Sequence, residues 1–231
     1  MRRLAAAALL LGSVPAVPAT ADALLGRLRS ESAHAAPRPF ERTLTRTVAG
    51  KPGRVTVDRF DPAAPAGRQW TLLSVDGHAP TAADADAHRK ETSAQPVPGF
   101  HRLHLLLAGA ASRHDDAAGA HYHWEHLAPG ALGTRGPDIS AKLSADADIA
   151  DVHGVPTITS VRVYAARPFS VMLVARIRSL ENVSTYRRGL DGAPVLVQQT
   201  SRTDASIPFR QDGVVETRAE FRPVSPIESQ Q

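Results

Sequence analysis

The sequence predicts a mainly β protein of the α+β class: a curved antiparallel sheet forming an incomplete barrel around short helices. Three observations carry that expectation. Segments that alternate apolar and polar residues recur from Phe40 almost to the end of the chain; short Gly-containing turns separate several of them; and only two short stretches read as helices. Alternation with a period of two sends one side of each segment to a core and the other to water, as antiparallel sheets do.

The chain begins MRRLAAAALLLGSVPAVPATADA. Basic Arg2 and Arg3, the apolar run from Leu4 to Leu11, and the small residues Ala19-Thr20-Ala21 or Ala21-Asp22-Ala23 as the cleavage site follow the order of a secretory signal peptide. Residues 1–21 are therefore expected to be a signal peptide, 22–231 a single domain, and the cleaved protein periplasmic. The apolar run falls short of the roughly 20 residues that a bilayer-spanning helix needs, and no longer run follows, so no transmembrane segment is expected. The chain has no cysteine, which leaves no disulfide to staple the fold and no thiol for lipid attachment. The core has to come from apolar burial.

After residue 21, DALLGRLRSES predicts a short amphipathic helix over 22–32 carrying Leu24, Leu25 and Leu28. FERTLTRTVAGKPGRVTVDRFDP reads as a hairpin turning at Gly50-Lys51-Pro52-Gly53, and WTLLSVDG as the next strand. APTAADADAHRKET predicts a helix over 80–92 with Thr81 as its N-cap. Between 93 and 137 the pattern weakens, and HRLHLLLAGA fits helix or strand equally. Alternation returns in ISAKLSADADIA, with Ile139, Ala141, Leu143, Ala145, Ala147 and Ile149 on one side. TITSVRVYA, FSVMLVARIR, NVSTYRRG, PVLVQQTS and VVETRAEFRP then read as a meander, with Asp191-Gly192 and Asp212-Gly213 as two of its turns.

Lys and Arg number 27 against 23 Asp and Glu, a formal charge of +4. The basic residues are interspersed with acids rather than gathered beside stacking aromatics, which excludes a nucleic-acid partner. No cysteine nucleophile, GxSxG elbow, phosphate-cradling loop or dinucleotide fingerprint occurs. The sequence thus points to no enzyme and to no cofactor.

One stretch is chemically dense: GAHYHWEHL, residues 119–127. On a strand, Ala120, Tyr122, Trp124 and His126 share one face, and His121, His123, Glu125 and Leu127 the other. The aromatic pair then points inward. His121 and His123 point outward at a spacing that suits a divalent metal if a third ligand approaches, and six of the ten histidines lie between 101 and 126. The spacings match no zinc pattern and HExxH is absent, so a solvated strand face is the simpler expectation.

Arg59-Phe60-Asp61-Pro62, followed by Trp70-Thr71-Leu72-Leu73-Ser74-Val75-Asp76-Gly77, together with the order helix, long hairpin, Trp-containing strand, helix and meander, resembles the periplasmic LolA/LolB-like superfamily. That superfamily includes lipoprotein carriers and the RseB-type sensor domain. The resemblance implies a half-barrel whose apolar concavity holds acyl chains, with a lipid or a lipidated protein as partner. The expected lining is Trp70, Leu72, Tyr122, Trp124, Phe169, Val171, Leu173 and Phe221, all on apolar strand faces. The expected function is therefore an exported soluble protein that binds an apolar or amphiphilic ligand. A periplasmic metal-binding protein using His121 and His123 stands second, and a hydrolase without a recognised motif third.

Overall fold

In the computed structural model the described residues are 22–49, 51–133, 136–171, 175–207 and 211–224. The proposed signal peptide, residues 1–21, and Leu173 of the expected lining lie outside them. Among the described residues, eleven strands form one antiparallel sheet that is not closed into a barrel, and three short α-helices accompany it. The fold class is the one the alternating segments predict. No helix among the described residues is long and apolar enough to cross a membrane.

Helix α1 (Ala23–His34) begins where Asp22 accepts a hydrogen bond from the backbone of Leu25 and buries Leu25, Leu28 and Ser32. Pro37 and Pro39 follow closely, and the residue before a proline avoids the helical region, so the chain leaves α1 extended. Strands β1 (Phe40–Val48) and β2 (Arg54–Phe60) pair as the expected hairpin, and β3 (Trp70–Val75) adds to β2. Helix α2 (Ala82–Ala94) starts in a capping box: Thr81 accepts from the Asp84 backbone, and the Asp84 side chain accepts from the Thr81 backbone.

The undecided 101–110 stretch forms a 3-10 turn (Phe100–Arg102) running into helix α3 (Leu103–Leu106). A hairpin of β4 (Ser112–Asp116) and β5 (Gly119–Trp124) follows, then β6 (Ser144–Val152), β7 (Val155–Tyr164), β8 (Phe169–Val171), β9 (Ala175–Arg188), β10 (Pro194–Ile207) and β11 (Gln211–Pro223). The strand order is β3-β2-β1-β11-β10-β9-β7-β6-β5-β4, with β8 paired only to β9. The N-terminal hairpin is thus stitched to the last strand, from Phe40 opposite Pro223 to Val48 opposite Val215.

Several local expectations are corrected. The alternating run does not start at Ile139: residues 140–142 form a 3-10 turn in which Asp138 accepts from the Ser140 backbone, and Ala141 is exposed while Ser140 is buried. Strand β5 ends at Trp124, so His126 is exposed and Leu127 is buried, the reverse of a strand continued to 127. FSVMLVARIR is two antiparallel arms, with Phe169 opposite Ile177 and Val171 opposite Ala175, and NVSTYRRG continues the second arm. The two neighbours of β9 on that side explain this, since its first residues pair with β8 and Glu181 to Thr185 with β7. Asp212 and Gly213 sit inside β11, paired with Ser206 and Ala205, instead of forming the turn.

One sheet face is wet and laced with charge, as in the cross-strand pairs Arg202–Glu216 and Arg178–Asp204. The other carries the core. Tyr122, Trp124, Leu143, Ala145, Ala147, Ile149, Ile158 and Val161 are buried on the β5–β7 side, together with Leu25 and Leu28 of α1. Phe40, Phe60, Trp70 and Phe221 cluster on the opposite wing, with Phe40 within 5.2–5.6 Å of the other three rings. Ser32 joins α1 to the 3-10 turn: its hydroxyl donates to Phe100 O at 2.7 Å and accepts from the His104 backbone at 2.7 Å.

Candidate ligand-binding cavity

Where the α1–β1 link crosses the ends of β10 and β11, the apolar layer is incomplete. A cavity of about 240 Å³ opens there, walled by Phe40, Pro98, Phe100, Leu196, Phe221 and Val224, with Ala36 and Arg38 at the link. Each wall has a local cause. The two prolines keep the link extended over the strand ends, where Val224 N donates to Pro39 O at 3.4 Å. The Ser32 bonds hold the turn that carries Phe100, and the turn between β9 and β10, closed by Gly189 N donating to Ala193 O, delivers Pro194 to Leu196.

Two groups give the cavity its electrostatics. His101, in its wall, has a pKa pushed down to about 4, first by burial and then by the positive charge of Arg102 and by His104. The imidazole is neutral near pH 7, so the wall it contributes carries no charge. Arg38 is held by Asp191 of the β9–β10 turn, with Nη1 donating to Oδ1 at 3.1 Å and Nη2 to Oδ2 at 2.5 Å. The guanidinium correspondingly holds the Asp191 carboxyl below its ordinary value.

The expected lining residues do not converge. Phe221 lines this cavity, and Trp70 is one ring removed from it, packed on Phe40. Leu72 lines a separate cleft of about 110 Å³ beneath α2. Tyr122 and Trp124 belong to the core, 2 % and 0 % exposed, and neither lines this cavity; Tyr122 borders a separate open hollow beside His121 and His123. Phe169 and Val171 are half-buried on the β8 arm. Phe40, Phe100, Leu196 and Arg38 line the cavity and are not among the residues that the sequence alone suggests. The prolines around Phe40 and Phe100 are a visible signal, since they mark backbone that spans strand ends without joining the ladder.

The outward histidines lie elsewhere. His121 Nδ1 is 2.8 Å from Asp148 and Nε2 3.1 Å from Asp116, and His123 Nδ1 is 2.8 Å from Asp146. Carboxylates at both ring nitrogens suit an imidazolium that donates twice, and the His121 pKa is raised, first by Asp148 and then by Asp116. Among the described residues no three His, Asp or Glu side chains are grouped to hold a metal. None of the histidine side-chain hydrogen bonds among them goes to a serine or threonine hydroxyl.

No protein-family model matches the chain, and no curated protein or solved structure matches it either.

Proposed function

We propose that this is an exported binding protein that holds an apolar or amphiphilic ligand, without transforming it, in the cavity beneath the α1–β1 link. The observation that carries the reading is the cavity itself: about 240 Å³ lined chiefly by Phe40, Phe100, Leu196 and Phe221. Such a wall makes few demands on a ligand beyond apolar surface, and each buried methylene contributes about 0.8 kcal/mol. The carboxylate partners of His121 favour a charged ladder over a metal site.

The test combines two measurements on wild-type protein and an Ala36→Trp variant. Ala36 is exposed at the cavity wall, so a large side chain there occupies the space without disturbing the core. Native mass spectrometry of protein purified from the periplasm is expected to show retained lipid, and a fluorescent fatty acid to bind saturably. Both signals should be lost in Ala36→Trp. Retained zinc or copper without lipid, or binding that Ala36→Trp leaves intact, overturns the assignment.

A further inference from the structure

Arg38 belongs to two cavities at once. Beside the apolar one lies a more open hollow of about 420 Å³, walled by Arg27, Leu28, Glu31, His34, Arg38 and Pro156 among others, and the two share Ala35, Arg38, Phe100 and Pro194. One side of that shared wall is apolar; the other carries charge. An elongated molecule lying across it places an uncharged tail among Phe40, Phe100, Leu196 and Phe221 and a polar head beside Arg38.

We infer that the ligand is a single-chain amphiphile with a carboxylate head, and that Arg38 takes this head in exchange for Asp191. The inference rests on the binding-protein reading and goes beyond it by fixing the ligand class. The cavity lies below the roughly 300–1,000 Å³ usual for pockets that enclose drug-sized ligands, so it takes one chain and not the several acyl chains of a lipidated protein. The chemistry of the head is written in the Arg38–Asp191 pair. The guanidinium already presents both terminal nitrogens to the two oxygens of a carboxylate, at 3.1 and 2.5 Å, the paired geometry that favours a planar carboxylate.

The pair is also exchangeable. Its side chains are 47 % and 54 % exposed, and an ion pair in water contributes little to stability, so replacing one carboxylate by another disturbs the fold little. The other polar groups of the hollow are engaged locally. Arg27 lies 3.4 Å from Glu31 and donates to Pro156 O, while His34 Nδ1 is 2.7 Å from Ser30 O. Arg38 is the cation that faces both spaces. Its present partner sits on the exposed β9–β10 turn, which can release it without moving a strand.

Calorimetric titration near neutral pH with decanoate, decanol and decyltrimethylammonium tests the inference, with circular dichroism showing that each variant is folded. Wild-type protein is expected to prefer decanoate. Arg38→Gln should weaken decanoate about fivefold or more and decanol much less, and Asp191→Asn should strengthen decanoate by removing its competitor. Equal effects of Arg38→Gln on decanoate and decanol, tighter binding of decyltrimethylammonium, or no gain from Asp191→Asn overturns the carboxylate exchange while the binding-protein reading stands. Failure of both decanoate and decanol to bind overturns that reading as well.

Discussion

Arg42 and Asp58 face each other across the β1–β2 hairpin, with the guanidinium donating to both carboxylate oxygens at 3.1 and 2.6 Å. The Asp58 side chain is fully buried and that of Arg42 is 12 % exposed. His88 of α2 lies 2.7 Å from the same carboxylate, and the Arg42 guanidinium stands 4.6 Å from the Trp70 ring. Helix α2 carries no large apolar residue and meets the sheet through this network and through Arg54–Asp84. Its seating is therefore electrostatic where a more apolar helix would use packing.

Breaking that network from one side should be costly. Asp58→Asn leaves the buried guanidinium without its counter-charge, and Arg42→Met leaves the carboxylate to His88 alone; each should cost about 3–5 kcal/mol. The double variant Arg42→Met with Asp58→Leu should cost less than the sum, because no buried charge is orphaned. Urea unfolding measures all three. Single variants within about 1 kcal/mol of wild type would show that water reaches the pair.

Gly119 closes the β4–β5 hairpin at φ +144°, and a Cβ placed on it would overlap the carbonyl oxygen of Ile149 on β6. Gly119→Ala therefore combines a backbone conformation that L-residues avoid with a clash against a strand backbone that cannot swing away. The expected loss is about 1–3 kcal/mol, the cost of one such strained residue, with β4 and β5 losing amide protection first. Unchanged hydrogen exchange in both strands would sink this account.

His101 and His121 give the stability curve two opposed limbs. The folded-state pKa of His101 is about 4, below its ordinary 6.5, so between those values the unfolded chain binds a proton that the native protein does not. Stability then falls as pH drops from about 6.5 to about 4. The pKa of His121 is raised, so its contribution is present below 6.5 and is lost as pH rises through the folded value. Melting temperature followed against pH should flatten on the acid side in His101→Gln and on the alkaline side in His121→Gln. An acid limb that survives His101→Gln assigns it to other groups.

Much of the fold is legible because it is local. Phe40 to Val48 and Arg54 to Phe60 alternate over a short turn, and a hairpin needs nothing more distant to form. Thr81 announces its helix through hydrogen bonds with Asp84 that span three residues, and Asp22 caps α1 in the same local way. The inward Tyr122 and Trp124 and the outward His121 and His123 follow from strand geometry alone. The fold-back at 169–177 was not legible, because either arm alone looks like part of one apolar strand. The end of β5 at Trp124 was hidden too, since Leu127 is drawn inward by its backbone bond to Leu143, sixteen positions along the chain.

By itself, then, the sequence determined the elements whose hydrogen bonds and apolar faces are set by near neighbours, and through them the mainly β class. Only the tertiary structure decided that β1 pairs with β11, and with that pairing where Phe40, Phe100, Leu196 and Phe221 meet. Arg38 and Asp191, 153 positions apart, likewise become partners only once the sheet has brought the α1–β1 link and the β9–β10 turn to the same end. Local alternation states which face of a strand is apolar. Which strands stand side by side depends on the burial gained by the whole sheet, and no single segment carries that quantity.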